Sequence, residues 1–270
     1  MIFKKYLINS LVGQLGISLV KFLTKNLVYT IRFGDVKMKR KGGLDFIYHR
    51  DSPEEQFLSS YDLKGKTVYD IGAYIGILTS FFSKSVGNTG RVIAFEPNID
   101  NCLEIKKSIE LNDLHNVDVL NTGIADTTGN TTLAIRHNRT ATASMDPEIQ
   151  TQILSEHHSR LLQVSVDTMD HCIAANKLPH PDFIKMDIEG MEYNALKGSD
   201  QTIRQYSPEM YIEIHGVDKN LKAANIKKIV QFLQSRGYEV FHIESKSIIT
   251  IENADVAMEG HIFCYKKVNM

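Results

Sequence analysis

The stretch VYDIGAYIGILTSFF, residues 68–82, sets the fold. It opens apolar, reaches Asp70 and Gly72, repeats a glycine at Gly76, and then spaces its apolar residues as a helix does. A buried strand turning tightly into a helix reads this way. A carboxylate at the mouth of such a turn needs a chemical reason.

Working outward, RVIAFEP (91–97) is a second strand, a helical segment covers 99–111, and VDVLNTGIAD (117–126) follows. FIKMDIEG (183–190) precedes a helix over about 191–205, and EMYIEIHG (209–216) precedes one around NIKKIVQFLQSRG (225–237). YEVFHI (238–243) and HIFCYKK (261–267) close the chain as an antiparallel pair, joined by a connector without helical periodicity. This rhythm predicts an α/β fold: a doubly wound Rossmann-like sheet of seven strands, mostly parallel, with an antiparallel C-terminal pair. Residues 130–164 interrupt it with a polar, Thr-rich segment, read as an insert that could act as a lid or touch substrate. His137, His157 and His158 lie there without metal-ligand spacing and read as solvated or substrate-contacting.

Upstream, DVKMKRKGGLDFIYHR (35–50) alternates around Gly42-Gly43 and predicts a hairpin. MIFKKYLINSLVGQLGISLVKFLTKN (1–26) is apolar but punctuated by lysines, too short and interrupted to span a bilayer. An amphipathic helix packed on the domain is expected; a helix lying on a membrane surface is the alternative. Residues 1–50 thus read as an extension and 51–270 as the main domain.

Charges nearly cancel, with 31 Lys+Arg against 32 Asp+Glu, so no global field draws the chain to nucleic acid. A small, near-neutral ligand is the expected partner. Cys102, Cys172 and Cys264 are odd in number and scattered, which argues against a disulfide framework or a zinc ribbon and fits a cytoplasmic protein.

In such a sheet a ligand sits over the carboxyl ends of the strands, where Asp70, Gly72 and Gly76 should gather. A dinucleotide fingerprint would read G-x-G-x-x-G, whereas this turn lacks one glycine and adds a carboxylate, which would repel a pyrophosphate and welcome a cation. S-adenosylmethionine carries an ammonium, a sulfonium and no phosphate. Glu96, at the end of the second strand, is placed to accept from its ribose hydroxyls.

VYDIGAYIGILTSFF, VIAFEPN (92–98), NTGIAD (121–126), VSVDTMD (164–170), FIKMDIEGMEYNALKG (183–198) and YIEIHG (211–216), in that order, resemble the FkbM family of class I S-adenosylmethionine-dependent methyltransferases. The resemblance implies O-methylation of a hydroxyl on a sugar, glycan or secondary metabolite. It places the first cofactor motif on Asp70, Gly72, Ala73 and Gly76, and the ribose acid on Glu96 with Pro97 and Asn98 shaping the loop. Gly123, Ile124, Ala125 and Asp126 would flank adenine. Tyr74 departs from the small polar residue usual there.

Lys185, Asp187 and Glu189 form a second constellation, since buried parallel strands seldom carry three charges in five residues without a site to serve. The bland reading is a lysine paired with its neighbours and a helix-dipole charge at Glu192. Tyr211, Glu213 and His215 share one face of the next strand. Lys185, Asp187, Glu189, Glu213 and His215 are therefore the candidate catalytic set, with His215 as base because its ordinary pKa lies near neutrality. No metal is required on this reading; a divalent ion on Asp187, Glu213 and His215 is the alternative. A nucleotide-cofactor oxidoreductase, a protein methyltransferase and a membrane-associated scaffold are the rival functions.

Overall fold

The computed structural model describes residues 26–42, 51–136, 139–156 and 158–266. The amphipathic-helix reading of the N-terminus, His137 and His157 lie outside them. The chain divides into two compact units, Met1–Ser60 and Tyr61–Met270.

In the first unit, β1 (Val28–Phe33) and β2 (Val36–Lys41) pair antiparallel and precede α1 (Pro53–Ser60). This hairpin turns at Gly34-Asp35, whereas the second strand of the one expected around Gly42-Gly43 lies outside the described residues. Phe33 pairs with Val36, leaving two turn residues, and Gly34 takes φ +53 as the first of them. The Glu55 carboxylate accepts from the N–H groups of Gly34 and Asp51, both at 2.7 Å, which ties α1 to that turn.

The second unit begins with β3 (Thr67–Ile71), α2 (Ile77–Val86), β4 (Arg91–Phe95), α3 (Ile99–Asn112), β5 (Val117–Leu120) and β6 (Gly123–Ile124). β7 (Gly129–Arg136), β8 (Arg139–Ser144), α4 (Pro147–Leu154), β9 (Ser159–Asp167) and α5 (Met169–Asn176) follow. Then come β10 (Phe183–Met186), α6 (Glu192–Lys197), α7 (Asp200–Tyr206), β11 (Glu209–Glu213), α8 (Lys219–Gln234), β12 (Tyr238–His242), β13 (Ser247–Ile249) and β14 (His261–Lys266).

The main sheet runs β13-β12-β14-β11-β10-β3-β4-β5. Pairings from β11 through β5 are parallel, and β14 pairs antiparallel with both β11 and β12. The strand beyond the expected seven is β13, a short edge in the connector. Tyr69, Ile93, Phe95, Ile184, Met210 and Ile212 are fully buried and fill the core; each such side chain stabilises by roughly 1.5–3 kcal/mol. Cys102, Cys172 and Cys264 are free and buried.

Two expectations needed correction. The single helix over 191–205 is two, because the Asp170 carboxylate accepts from the N–H groups of Gln201 and Thr202 and starts a new helix there. The insert is a second sheet, ordered β6-β9-β7-β8, with Leu133, Ile135, Val164 and Val166 buried. Its large buried residues alternate only over short runs, Leu133 with Ile135 and Val164 with Val166, too short to read as strands.

Candidate active site

The parallel strands deliver their carboxyl ends to one edge of the sheet, and both constellations meet there. Gly72 allows the close approach: a Cβ on it would lie 1.9 Å from the Asp187 carbonyl oxygen, and its φ is +79. The N–H groups of Gly72 and Ala73 both donate to Phe95 O, at 3.0 and 3.1 Å, and hold the turn against β4. Ala73 packs on Ala94 and Ile105, and Gly76 precedes α2 in the left-handed region.

Asp70 is fully buried. One carboxylate oxygen accepts from Thr79 Oγ1 at 2.6 Å; the other has no hydrogen bond and lies 3.6 Å from Lys185 Nζ. The expectation that it faces a cationic ligand is corrected to this extent: the cation beside it is the protein's own lysine. Lys185 Nζ donates to Gly72 O at 3.1 Å and lies 3.5 Å from Asp187 Oδ2. It thereby links the glycine turn to β10.

Glu96 accepts at one oxygen from Asn98 N–H (2.9 Å) and Asn101 Nδ2 (3.2 Å), and at the other from Tyr74 N–H (2.9 Å). Burial pushes its carboxyl up to about 7 against those hydrogen bonds. A carboxylate offers about four acceptor positions, so with three donors in place Glu96 retains capacity for a ribose hydroxyl. The turn without side chains at Gly72 and Gly76, beside an acid with acceptor capacity, fits S-adenosylmethionine. Asn98 caps α3 through Asp100 N–H. Asn121 donates to the carbonyls of Glu96 and Pro97 and braces the loop from β5.

The segment 123–126, expected beside adenine, is held by packing and one ion pair. Ile124 and Ala125 are buried in the two cores, and Asp126 is bound to Lys197 Nζ at 2.5 Å, which holds its carboxyl below the usual range. Those side chains serve packing and an ion pair.

At the ends of β10 and β11, His215 stands among four carboxylates. Its Nδ1 is 3.0 Å from Glu192 Oε1, and its Nε2 is 3.6, 3.7 and 3.5 Å from Asp187, Glu189 and Glu213. Burial opposes its charge, but the bonds to Glu192 and Glu213 and the charge of Asp187 raise its pKa well above 6.5. The expectation that it titrates near neutrality is corrected: the ring is an imidazolium. Burial raises Glu189 to about 7, with Asp187 and Glu213 adding to the effect and His215 opposing it. Burial also raises Asp187. Glu213 moves the other way, because the bonds to His215 and His261 outweigh its burial. Asp187, Glu213 and His215 can each bring one ligand atom within 4.8 Å of the others, so they could hold a divalent cation.

Glu192 was read as a helix-dipole charge, yet it is fully buried and orients His215 while accepting from Gly190 N–H (2.9 Å) and Asn225 Nδ2 (3.2 Å). Its place three residues after Glu189 was the available signal. Asn225, Asn101 and Asn121 carried none.

The methyltransferase FkbM domain model matches residues 70–240. Among solved structures, an FkbM methyltransferase from Methylobacillus flagellatus is 19% identical, covering 79% of this chain and 50% of that one, with TM-score 0.48. The chain thus spans half that protein's length. A SAM-dependent methyltransferase from Aquifex aeolicus is 14% identical over 79% of this chain and 87% of its own (TM-score 0.41). Fibrillarin from Aeropyrum pernix, in complex with natively bound S-adenosyl-L-methionine, is 11% identical over 76% and 68% (TM-score 0.43). No curated protein matches the chain. With the family model covering the glycine turn, Glu96 and the carboxylate cluster together, the chain belongs to the FkbM family of class I S-adenosylmethionine-dependent methyltransferases.

Proposed function

We propose that the protein transfers a methyl group to a hydroxyl oxygen of a sugar, glycan or secondary metabolite, with Glu189 accepting the hydroxyl proton. The observation that carries this is the pair formed by Glu189, whose carboxyl titrates near 7, and the His215 imidazolium 3.7 Å away. S-adenosylmethionine supplies the activated methyl when bound. Glu96 and the turn from Gly72 to Gly76 orient that group, and the carboxylates of Asp187 and Glu213 favour its positive charge. A hydroxyl is too weak an acid to react unaided, so a placed base is needed, and one typically adds about 10²- to 10⁴-fold. Glu189 does this better than His215, which already carries its proton.

A second reading has support from geometry. A divalent ion on Asp187, Glu213 and His215 would displace the imidazole proton and acidify the hydroxyl directly. Chelator and Mg²⁺ or Mn²⁺ add-back separate the two: activity lost to chelation and restored by metal sinks the metal-free version.

We take the acceptor to be a small molecule or glycan, the partner set to exclude nucleic acid, and the location to be the cytoplasm, where three unpaired buried cysteines are at home. A peripheral membrane contact would fall to residues 1–30, most of which lie outside the described residues. Among the described residues, no helix is long and apolar enough to cross a membrane.

The test is methyl transfer from labelled S-adenosylmethionine to a cell extract, with wild type and Glu189→Gln. A base-stable methyl ether on a non-protein product is expected. A base-labile ester, an N-methyl group or a labelled protein overturns the assignment.

A further inference from the structure

Beside Glu189 and His215 lies a cavity of about 120 Å³ whose wall also includes Arg136, Lys222, Ile149 and Ile153. Arg136 is the last residue of β7, in the second sheet, and Lys222 lies in the first turn of α8, behind the main sheet. Two cations from elements far apart in sequence therefore converge on one small space. Each has a carboxylate nearby. Arg136 Nη2 is 2.9 Å from Glu156, whose side chain is 54% exposed, and Lys222 Nζ is 3.5 Å from Glu259, 77% exposed. In each pair the carboxylate is the more exposed partner, while the cation is partly buried at the cavity wall.

The site is polarised from end to end. Asp187, Glu213 and Glu192 crowd the inner end around His215, suited to a sulfonium. The cavity wall itself sets Arg136 and Lys222 in the same lining as Glu189 and His215, with an apolar side formed by Ile149 and Ile153. A neutral acceptor would gain nothing from two cations placed there.

Resting on the methyltransferase reading, we propose that this cavity is the acceptor subsite for an anionic group, a carboxylate or a phosphate carried by the same molecule as the reacting hydroxyl, held by Arg136 and Lys222. The substrate class is then an acidic or phosphorylated hydroxy compound. Methyl transfer converts its hydroxyl to an ether and yields S-adenosylhomocysteine; the proton leaves through Glu189 and the anionic group is unchanged.

The experiment is calorimetry on protein saturated with S-adenosylhomocysteine, titrated with glucuronate, glucose 6-phosphate, inorganic phosphate and neutral glucose. At least one anion should bind at least about tenfold more tightly than glucose, a difference of about 1.4 kcal/mol, and its identity distinguishes carboxylate from phosphate. Lys222→Met and Arg136→Met should each weaken that anion about tenfold or more while S-adenosylhomocysteine affinity stays unchanged. Two variants are used because either alone could disturb packing. Anions that bind no better than glucose, no binding by wild type, or variants that bind anions as wild type does, would each overturn the proposal. Failure of the wild type to bind S-adenosylhomocysteine would instead count against the methyltransferase reading.

Discussion

Glu192 Oε1 lies 3.0 Å from His215 Nδ1, with the glutamate fully buried. Because Gly190 N–H and Asn225 Nδ2 hold the same carboxylate, the imidazole ring is fixed with Nε2 turned toward Asp187, Glu189 and Glu213.

Replacing Glu192 by Gln should therefore lower the His215 pKa while keeping the side chain's shape. Loss of a charge-assisted bond of about 1.5–3 kcal/mol is at stake, and turnover should drop roughly 10- to 100-fold, as for other orienting partners. NMR titration of the histidine ring checks it; an unchanged pKa would dismiss Glu192 as the orienting group.

Glu189 sets a pH dependence. Its carboxyl, raised from 4.5 to about 7, is protonated below that pH and a base above it, so kcat/KM should rise through about pH 7. Glu189→Gln should lose the rising limb and about 10²-fold or more in rate. A limb that survives in the variant belongs to another group.

The same shift has a stability consequence of opposite sense. Between 4.5 and about 7 the folded state keeps a proton that the unfolded chain releases, so stability falls as pH rises through that window. Glu189→Gln at pH 8 should be more stable than wild type by about 1–3 kcal/mol. Urea unfolding at pH 5 and 8 measures it, and equal differences at both pH values would contradict it.

Glu96→Ala removes the ribose acceptor and the partner of Tyr74 N–H. Dissociation of S-adenosylhomocysteine should weaken at least about tenfold, given two bonds of about 1.5–3 kcal/mol each. In the wild type, affinity should also decline below about pH 7, where the acid is protonated. Unaltered binding would remove Glu96 from the cofactor site.

Lys185 is 3% exposed between Asp70 and Asp187. Lys185→Met leaves the buried Asp70 carboxylate uncompensated and should cost about 3–5 kcal/mol. Adding Asp70→Asn should recover part of that loss. A double variant no more stable than the single one would mean the two residues do not compensate each other.

The sequence by itself determined the strand-turn-helix at 68–82, the parallel order around it and the strand ends that carry Glu96, Asp187 and His215. Those readings rest on local periodicity and on glycines whose backbone conformation is dictated within a few residues. Where local signals were equivocal, the reading failed. Gly34-Asp35, which the periodicity did not single out, turns the described hairpin because Phe33 pairs with Val36. The second sheet went unread because its apolar alternations are short and its strands are specified by pairing with one another.

What the tertiary structure alone decided is the electrostatics. His215 near neutrality was a sound inference from an isolated imidazole, but four carboxylates contributed by a loop, a helix and a strand end reverse it. Asp70 looked like a ligand contact until Lys185, from a strand more than a hundred residues later, was found against it. Glu192 looked like a helix-dipole charge alone until the structure showed it buried against His215. Arg136 and Lys222 have no pattern linking them in the chain. Charge interactions fall with distance in space and burial, neither of which a linear sequence encodes, whereas helices and strands are set by neighbours it lists in order.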